Sequence, residues 1–129
     1  MTYCVAIKTD GGLVFASDSL TNAGIDHVSS YSKMHAFAQP GERLFVLLAA
    51  GNLATTQAVV KRLRDDCRAG SQPCLSGMRS MSEAADYVGS VSTEVQRSQT
   101  ARDTANTNFE ATFIFGGQIA GQAPEMYMI

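Results

Sequence analysis

The sequence predicts an α+β domain built on antiparallel sheets, and two observations lead to this prediction. Segments with strand-like alternation lie at both ends of the chain, and two segments with helical spacing lie between them. The strands and helices therefore lack the regular alternation that builds parallel sheets. With 129 residues, the chain has the length of one domain with one core, so we expect a single domain over residues 1–129.

The N-terminal segment predicts a β-hairpin. Tyr3 to Lys8 alternates, the cluster Asp10-Gly11-Gly12 contains residues that tolerate a tight turn, and Leu13 to Ser17 returns as a second strand. The polar stretch TNAGIDHVSSYS, residues 21–32, is predicted to be a loop. A short strand is expected after it, from Met34 to Phe37.

The apolar run ERLFVLLAA, residues 42–50, predicts a strand that is buried on both faces. Pro40-Gly41 supplies the turn before this strand, and Gly51-Asn52 ends it. A helix is expected next, because Asn52 is a suitable N-cap and the following side chains recur at helical spacing. The predicted stripe consists of Leu53, Thr56, Val60, Leu63 and Cys67.

A second helix is predicted after a linker that is rich in Gly, Pro and Ser, residues 68–80. The helix begins at Ser80 or Ser82 and ends near Arg102. Its predicted stripe consists of Met81, Ala84, Ala85, Val88, Val91 and Val95. Two strands around GGQIAGQAP close the chain, Phe109–Phe115 and Glu125–Ile129.

Composition argues against several classes of protein. A net charge of −2 gives no electrostatic footprint for nucleic acid or for an acidic membrane surface. The longest apolar runs are much shorter than the roughly 20 residues of a membrane-spanning helix, and no secretory signal is visible. We therefore expect a cytoplasmic protein with neither a membrane nor a nucleic-acid partner. Its three cysteines form no CxxC pair and suit reduced thiols: Cys4, Cys67 and Cys74.

Common catalytic motifs are absent from the sequence, including GxxxxGK, HExxH and GxSxG. The sequence has no spaced cluster of metal ligands, so we expect neither a metal nor an organic cofactor. His27 and His35 are more simply explained as surface or core-edge histidines. The glycines of GGQIAG lie between two predicted strands, which favours a hairpin over a nucleotide-binding turn.

Four residues in the N-terminal part of the chain form a candidate catalytic group. Thr2 begins the first strand, Asp18 follows the second, Lys33 precedes the third, and Gly51 ends the apolar strand. Each of them alone has an ordinary structural explanation. Together they match a known arrangement, because loss of Met1 would leave Thr2 with a free α-amine beside its own hydroxyl.

The chemistry of this group follows from its charges. An α-amino group has an ordinary pKa of about 7.7 to 8.0, so near neutral pH part of it is already a base. The Lys33 cation is expected to lower that pKa, and Asp18 is expected to pair with Lys33 and orient it. Gly51 can offer its backbone N–H to a developing oxyanion.

The sequence resembles the bacterial proteasome-type proteases of the Anbu (ancestral β-subunit) group, relatives of HslV and of proteasome β-subunits. The resemblance rests on MTYCVAIK, GLVFASDS, TNAG, KM and PGERLFVLLAAGNLATTQAVV, and again on FEATFIFGGQIAGQAPEMYMI. It implies an N-terminal-nucleophile hydrolase fold, an αββα sandwich in which two antiparallel sheets stack between layers of helices. It also implies a threonine peptidase that cleaves peptides or unfolded proteins and assembles into homo-oligomeric rings or spirals.

The same resemblance implies roles for individual residues. Thr2 would be the nucleophile, Asp18 and Lys33 its charge-tuning pair, and Gly51 the oxyanion donor. Four further residues would hold an extended peptide and shape the first specificity pocket: Thr21, Asn22, Ala49 and Leu53. The small side chain of Ala49 would leave that pocket roomy.

The chain departs from the family pattern in two ways. Leu20 stands where proteasome-type sequences commonly carry Arg, two positions after Asp18. Family members also continue well beyond Ile129, so we expect a C-terminally truncated chain that carries the N-terminal half of the sandwich. Two other functions stay open: a catalytically silent assembly subunit of the same fold, and an amidase that acts on a small molecule.

Overall fold

The computed structural model describes residues 1–22 and 28–129, which fold into strands, two α-helices and a short 3-10 helix at Leu75–Gly77. In chain order the strands and α-helices are β1 (Cys4–Thr9), β2 (Gly12–Ser17), β3 (Leu20–Asn22), β4 (Val28–Ser30), β5 (Met34–Gln39), β6 (Arg43–Gly51), α1 (Leu53–Ala69), α2 (Met81–Arg102), β7 (Ala111–Ile119) and β8 (Glu125–Met128). The predicted α+β class and the order of strands, helices and strands are confirmed.

The strands described in the structure pair in an antiparallel manner throughout. β1 and β2 form the predicted hairpin, in which Cys4 pairs with Ser17 and Thr9 pairs with Gly12. β3 and β4 form a second two-stranded sheet. The remaining strands form a four-stranded sheet in the order β5, β6, β7 and β8. The prediction of antiparallel sheets is therefore confirmed.

The main core lies between the four-stranded sheet and the two helices. Phe45, Leu47 and Ala49 alternate along β6 and are buried, and Phe113 and Phe115 lie beside them on β7. Both helices pack against this face of the sheet. The helical stripes predicted from the sequence contribute most of the opposing side chains: Val60, Leu63, Met81, Ala84, Ala85, Val88 and Val91.

The helix starts follow from their capping residues. The Asn52 side chain accepts a hydrogen bond from Thr55 N at 3.1 Å, so the predicted N-cap of α1 is confirmed. Ser80 is the N-cap of α2, and its hydroxyl accepts from Glu83 N at 3.1 Å. Of the two predicted starts for this helix, Ser80 is the right one. No helix in the described ranges is long and apolar enough to cross a membrane.

The second face of the four-stranded sheet is covered only in part, by the β1–β2 hairpin. The Phe15 ring lies against Gly116, where a Cβ would stand 2.8 Å from the ring carbon Cζ. Further along β6, Leu48 is buried but Leu44 is 47% exposed. The prediction that this strand is buried on both faces is therefore wrong at the Leu44 end. A cavity of about 210 Å³ separates the hairpin from the sheet there.

Several segment boundaries differ from the sequence prediction, three of them in segments that were predicted to be connections. Part of the predicted loop 21–32 lies in β3 and β4, since each supplies the other with a ladder of backbone hydrogen bonds. The predicted linker 68–80 includes the 3-10 helix. β7 extends to Ile119 because the first two glycines of GGQIAG stay in the ladder, where Gly116 lies opposite Val46 and Gly117 opposite Phe45.

Candidate active site

Asp18 ties the beginning of β1 to the segment after β2. Its Oδ1 accepts a hydrogen bond from Tyr3 N at 2.7 Å, and its own N–H donates to Tyr3 O at 3.0 Å. Its Oδ2 accepts from Lys33 Nζ at 2.8 Å and from Leu20 N at 3.2 Å. Since Thr2 directly precedes Tyr3, these bonds fix the chain next to the candidate nucleophile.

Lys33 is only 6% exposed, and its ammonium is placed by contacts at both ends of the residue. Its carbonyl accepts from Ala49 N at 2.9 Å, which joins it to β6. Its Nζ pairs with Asp18 and also donates to Met1 O at 3.3 Å. The carbon of that carbonyl is bonded to Thr2 N. The ammonium therefore lies close to the atom that would become a free amine on loss of Met1.

The Asp18 carboxylate is held in its charged form by its donors. The hydrogen bond from Lys33 is the largest cause and that from Tyr3 N the next, and together they lower the pKa of Asp18 to about 2. An acid with this pKa stays ionised across the physiological range. Asp18 can therefore act as a fixed counter-ion for Lys33, but not as a general acid or base near neutral pH.

Gly51 occupies a position that excludes a side chain. Its φ is +105°, and a Cβ would stand 2.5 Å from Glu110 O. Ala49 N–H points towards β5, where it donates to Lys33 O. Successive N–H groups of a strand alternate in direction, so Gly51 N–H points to the same side, beyond the beginning of β5. Gly51 thus directs a backbone donor towards the site.

These residues meet at one cavity of about 180 Å³. Its wall includes six of the eight residues predicted from the sequence: Thr2, Thr21, Lys33, Ala49, Gly51 and Leu53. Asp18 lies behind Lys33 and lines a neighbouring open cavity, which Thr2 lines as well. The backbone of Asn22 ends β3, and its side chain lies outside the described part of the structure.

The cavity also includes residues that sequence reasoning missed, chiefly Tyr31 and Thr56. Thr56 follows Leu53 by three positions on α1, so its helical spacing could have placed it beside the site. Tyr31 fell in the predicted loop and gave no such signal. It is positioned by its N–H, which donates to Ser19 O at 2.8 Å, and by the ring of His35 at 6.1 Å.

The hydroxyls around the cavity differ in how they are satisfied. Thr56 Oγ1 donates to Leu53 O at 3.0 Å. Thr21 Oγ1 is buried and has no hydrogen-bond partner within residues 1–22 and 28–129. An unpaired buried hydroxyl costs free energy that a bound group with a complementary atom would recover.

His35 does not line this cavity. His35 is buried on β5, and burial together with the nearby Arg64 lowers its pKa, which keeps the ring neutral. The prediction of a core-edge residue is confirmed for His35. His27 lies outside the described residues.

Comparison with solved structures identifies the family. Anbu (ancestral beta-subunit) from Yersinia bercovieri matches with a TM-score of 0.89 and 42% identity over 100% of this chain and 52% of its own. The chain belongs to the Anbu family. The helical assembly of the Anbu complex from Pseudomonas aeruginosa gives a TM-score of 0.89 and 42% identity over 100% of this chain and 53% of its own. Anbu from Hyphomicrobium sp. strain MC1 matches at 0.79 and 39%, over 100% and 52%.

These matches confirm the predicted family and an α+β fold consistent with half of an N-terminal-nucleophile sandwich. This Anbu chain spans about half the length of the relatives that it matches. No protein-family model matches the sequence, and no curated protein matches it either.

Proposed function

We propose that this Anbu chain carries the nucleophile of a proteasome-type threonine peptidase subunit. One observation supports the proposal above the others. The ammonium of Lys33, paired with Asp18 at 2.8 Å, also donates to the carbonyl attached to Thr2 N, beside a cavity that Thr2 lines. A cation in this place favours the neutral, basic form of an amine freed at Thr2.

In the proposed reaction, loss of Met1 frees the α-amine of Thr2. This amine takes the proton of the Thr2 hydroxyl, and Oγ attacks the carbonyl carbon of the peptide. The negative charge on the peptide oxygen is stabilised by Gly51 N–H. The C–N bond then breaks, the amine returns the proton to the leaving group, and an ester on Thr2 remains. Water hydrolyses this ester with the same amine as base.

We propose that the cavity wall binds the substrate as an extended peptide or unfolded protein. Thr21 supports this role with a buried hydroxyl that has no partner among the described residues, and Ala49 and Leu53 supply small and apolar surface. Asn22 is assigned to the same role on the family resemblance alone. We assign Tyr31 and Thr56 to the same role because both residues line the cavity.

We propose further that the chain acts in the cytoplasm as a homo-oligomer. Free thiols at Cys4, Cys67 and Cys74 are typical of a reducing compartment. The relative from Pseudomonas aeruginosa was solved as a helical assembly, which supports self-association of related chains.

Labelling with a peptide epoxyketone tests whether Thr2 is the nucleophile. The reagent forms a cyclic adduct that requires both the hydroxyl of Thr2 and a free α-amine on the same residue. The purified chain is expected to have lost Met1 by intact mass and to carry the label on Thr2. Thr2→Ala should abolish labelling. Thr9→Ala is the matched control, because Thr9 lies at the end of β1 that is far from Thr2, and its hydroxyl donates to Gly12 O. Retention of Met1, or equal labelling of Thr2→Ala, would contradict the proposal.

The same experiment separates the alternatives left open by the sequence. A silent assembly subunit would lose Met1 and form oligomers, yet resist the label. A small-molecule amidase would accept the label and hydrolyse simple acyl-amides, but would leave an unfolded protein substrate intact.

A further inference from the structure

The proposed oxyanion donor belongs to the residue type with the most backbone freedom. Position 51 requires glycine, because a Cβ would stand 2.5 Å from Glu110 O and the φ of Gly51 is +105°. Glycine adopts many backbone conformations with similar ease, so it does not by itself hold its N–H in one direction. An oxyanion donor is effective only when its direction is set before the charge develops. The direction of Gly51 N–H must therefore be set by the neighbours of this residue.

On its N-terminal side, Gly51 is held by the four-stranded sheet. β6 pairs with β7 as far as Gly51 itself, which lies opposite Ala111. Two residues earlier, Ala49 N–H donates to Lys33 O at 2.9 Å. The sheet therefore fixes the chain up to Gly51, and the conformation of this residue depends on what holds the chain directly after it.

On its C-terminal side, Gly51 is followed by Asn52, which is held through both its backbone and its side chain. Asn52 N–H donates to Glu110 O at 2.9 Å, and Asn52 Nδ2 donates to Asn108 O at 2.9 Å. Asn52 Oδ1 accepts from Thr55 N at 3.1 Å, which makes Asn52 the N-cap of α1. One residue thus joins the end of β6, the start of α1 and the segment before β7.

The segment that accepts the two bonds from Asn52 is held in place by contacts of its own. Asn108 Oδ1 accepts from Glu110 N at 2.8 Å, an arrangement that closes a local turn. The buried Thr55 hydroxyl lies within hydrogen-bond distance of Phe109 O, at 2.9 Å, and of Gln99 Oε1, at 2.7 Å. The carbonyls of this segment are therefore suitable anchors for the residue that follows Gly51.

We propose that Asn52 is a positioning residue for the oxyanion donor, a role that rests on the proposed peptidase function. The bond from Asn52 Nδ2 to Asn108 O keeps the peptide after Gly51 in one orientation, and the direction of Gly51 N–H is kept with it. Asn52 is not part of the cavity wall, so it acts through Gly51. Asn carries its acceptor and its donor on separate atoms. Asp has no donor, and Ser or Thr must use one short hydroxyl for both bonds.

Asn52→Ser tests this role, because Ser keeps a capping acceptor for α1 and loses the amide that reaches Asn108 O. Complete loss of an oxyanion donor lowers kcat roughly 100- to 1000-fold, and a donor that is only loosened should cost less. We expect kcat to fall about tenfold with KM unchanged, as for an interaction made only in the transition state. Hydrolysis of fluorescein-labelled casein by the full chain measures both constants, once intact mass has confirmed loss of Met1. An unchanged kcat would overturn the role.

Ser80→Ala is the matched control for a loss of helix stability. Ser80 caps α2 as Asn52 caps α1, its hydroxyl accepts from Glu83 N at 3.1 Å, and it lies outside the cavity wall. This variant should lower the urea midpoint at least as much as Asn52→Ser, because it removes a capping acceptor, and it should leave kcat unchanged. An equal fall in kcat for both variants would assign the effect to helix stability and overturn the proposal.

A readout without catalysis separates this proposal from the peptidase function. Backbone amide relaxation measured by NMR gives the order parameter of Gly51 N–H. We expect about 0.85 in the wild-type chain and a fall towards about 0.6 in Asn52→Ser, the value that marks flexible backbone. Equal order parameters in the two chains would overturn the positioning role. A wild-type chain that loses Met1 and cleaves no casein would instead contradict the peptidase function, and the order parameter would still decide whether Asn52 positions Gly51.

Discussion

The two faces of the four-stranded sheet differ in how completely they are covered. On the helix face, Phe45, Phe113 and Phe115 are at most 1% exposed. On the hairpin face, Leu44 is 47% exposed and Met128 is 72% exposed. The helix face therefore contains most of the hydrophobic stabilisation of this chain, since stabilisation follows the apolar area removed from water.

The candidate nucleophile belongs to the less buried layer. Thr2 precedes β1, and the hairpin that carries it is attached by a few specific contacts rather than by a large core. These are the Asp18–Lys33 ion pair, the packing of Phe15 on Gly116, and the contact of Cys4 Sγ with Ala49 O at 3.8 Å. The site can therefore lose its geometry while the helix core stays folded.

The largest effect is expected from a truncation on the helix face. Phe113→Ala should lower the free energy of unfolding by about 3–5 kcal/mol, because it removes a fully buried ring and leaves a cavity. Urea denaturation monitored by far-UV circular dichroism measures this change. A loss below about 1 kcal/mol, the size expected of an ordinary point substitution, would contradict the division between the faces.

A truncation on the hairpin face should cost less and act locally. Phe15 is only half-buried, so Phe15→Ala should lower the free energy of unfolding by about 1–2 kcal/mol. Amide hydrogen exchange should speed up in β1 and β2 and stay unchanged in β6 and β7. Uniformly faster exchange across all four strands would show that the two layers unfold as one unit.

Much of the helix face could be predicted from the sequence because its signals are local. The alternation of Phe45, Leu47 and Ala49 and the stripes of both helices appear within short windows. The strand pair β3 and β4 could not be predicted, since its polar residues are held by partners rather than by their own propensity. The exposure of Leu44 depends likewise on how far a separate hairpin reaches.

The candidate site, like the fold, could be predicted from the sequence only in part. The ion pair of Asp18 and Lys33 was predicted from residue type and family resemblance, and the structure places the two groups 2.8 Å apart. The requirement for glycine at position 51 comes from Glu110 O, which is distant in sequence, so spacing alone could not supply this reason. Tyr31 lines the cavity from just after β4, where its N–H donates to Ser19 O, a residue distant in sequence.

On the helix face, hydrogen bonds of one side chain also join α1 to the segment before β7. The Asn52 side chain caps α1 and donates through Nδ2 to Asn108 O at 2.9 Å. Asn52→Ala should lower the free energy of unfolding by about 1 kcal/mol. Asn52→Asp keeps the capping acceptor and removes the donor, so it should recover most of that loss. Equal losses for both variants would assign the effect to the Asn108 contact.

The smallest change in stability is expected at the ion pair of Asp18 and Lys33, which links the hairpin to the sheet. This change depends on pH. The pKa of Asp18 is about 2 in the folded chain, below its ordinary value of 3.8. A lowered folded pKa stabilises the fold above the unfolded value and loses that contribution as the pH falls through the folded one. The stabilisation is thus fully present near neutral pH and is lost progressively as the pH falls from about 4 through about 2.

Asp18→Asn isolates this contribution from the other carboxylates. Its urea midpoint should lie below that of the wild-type chain at about pH 6, and the gap should narrow as the pH falls towards about 2, because protonation of Asp18 progressively removes the charge that Asn lacks. Asp65→Asn is the control: its partner Lys61 lies one turn earlier on α1 and is highly exposed, so this substitution should change the midpoint little. A gap between wild-type and Asp18→Asn midpoints that is as large at about pH 2 as at about pH 6 would mean that the shape of Asp18, and not its charge, links the hairpin to the sheet.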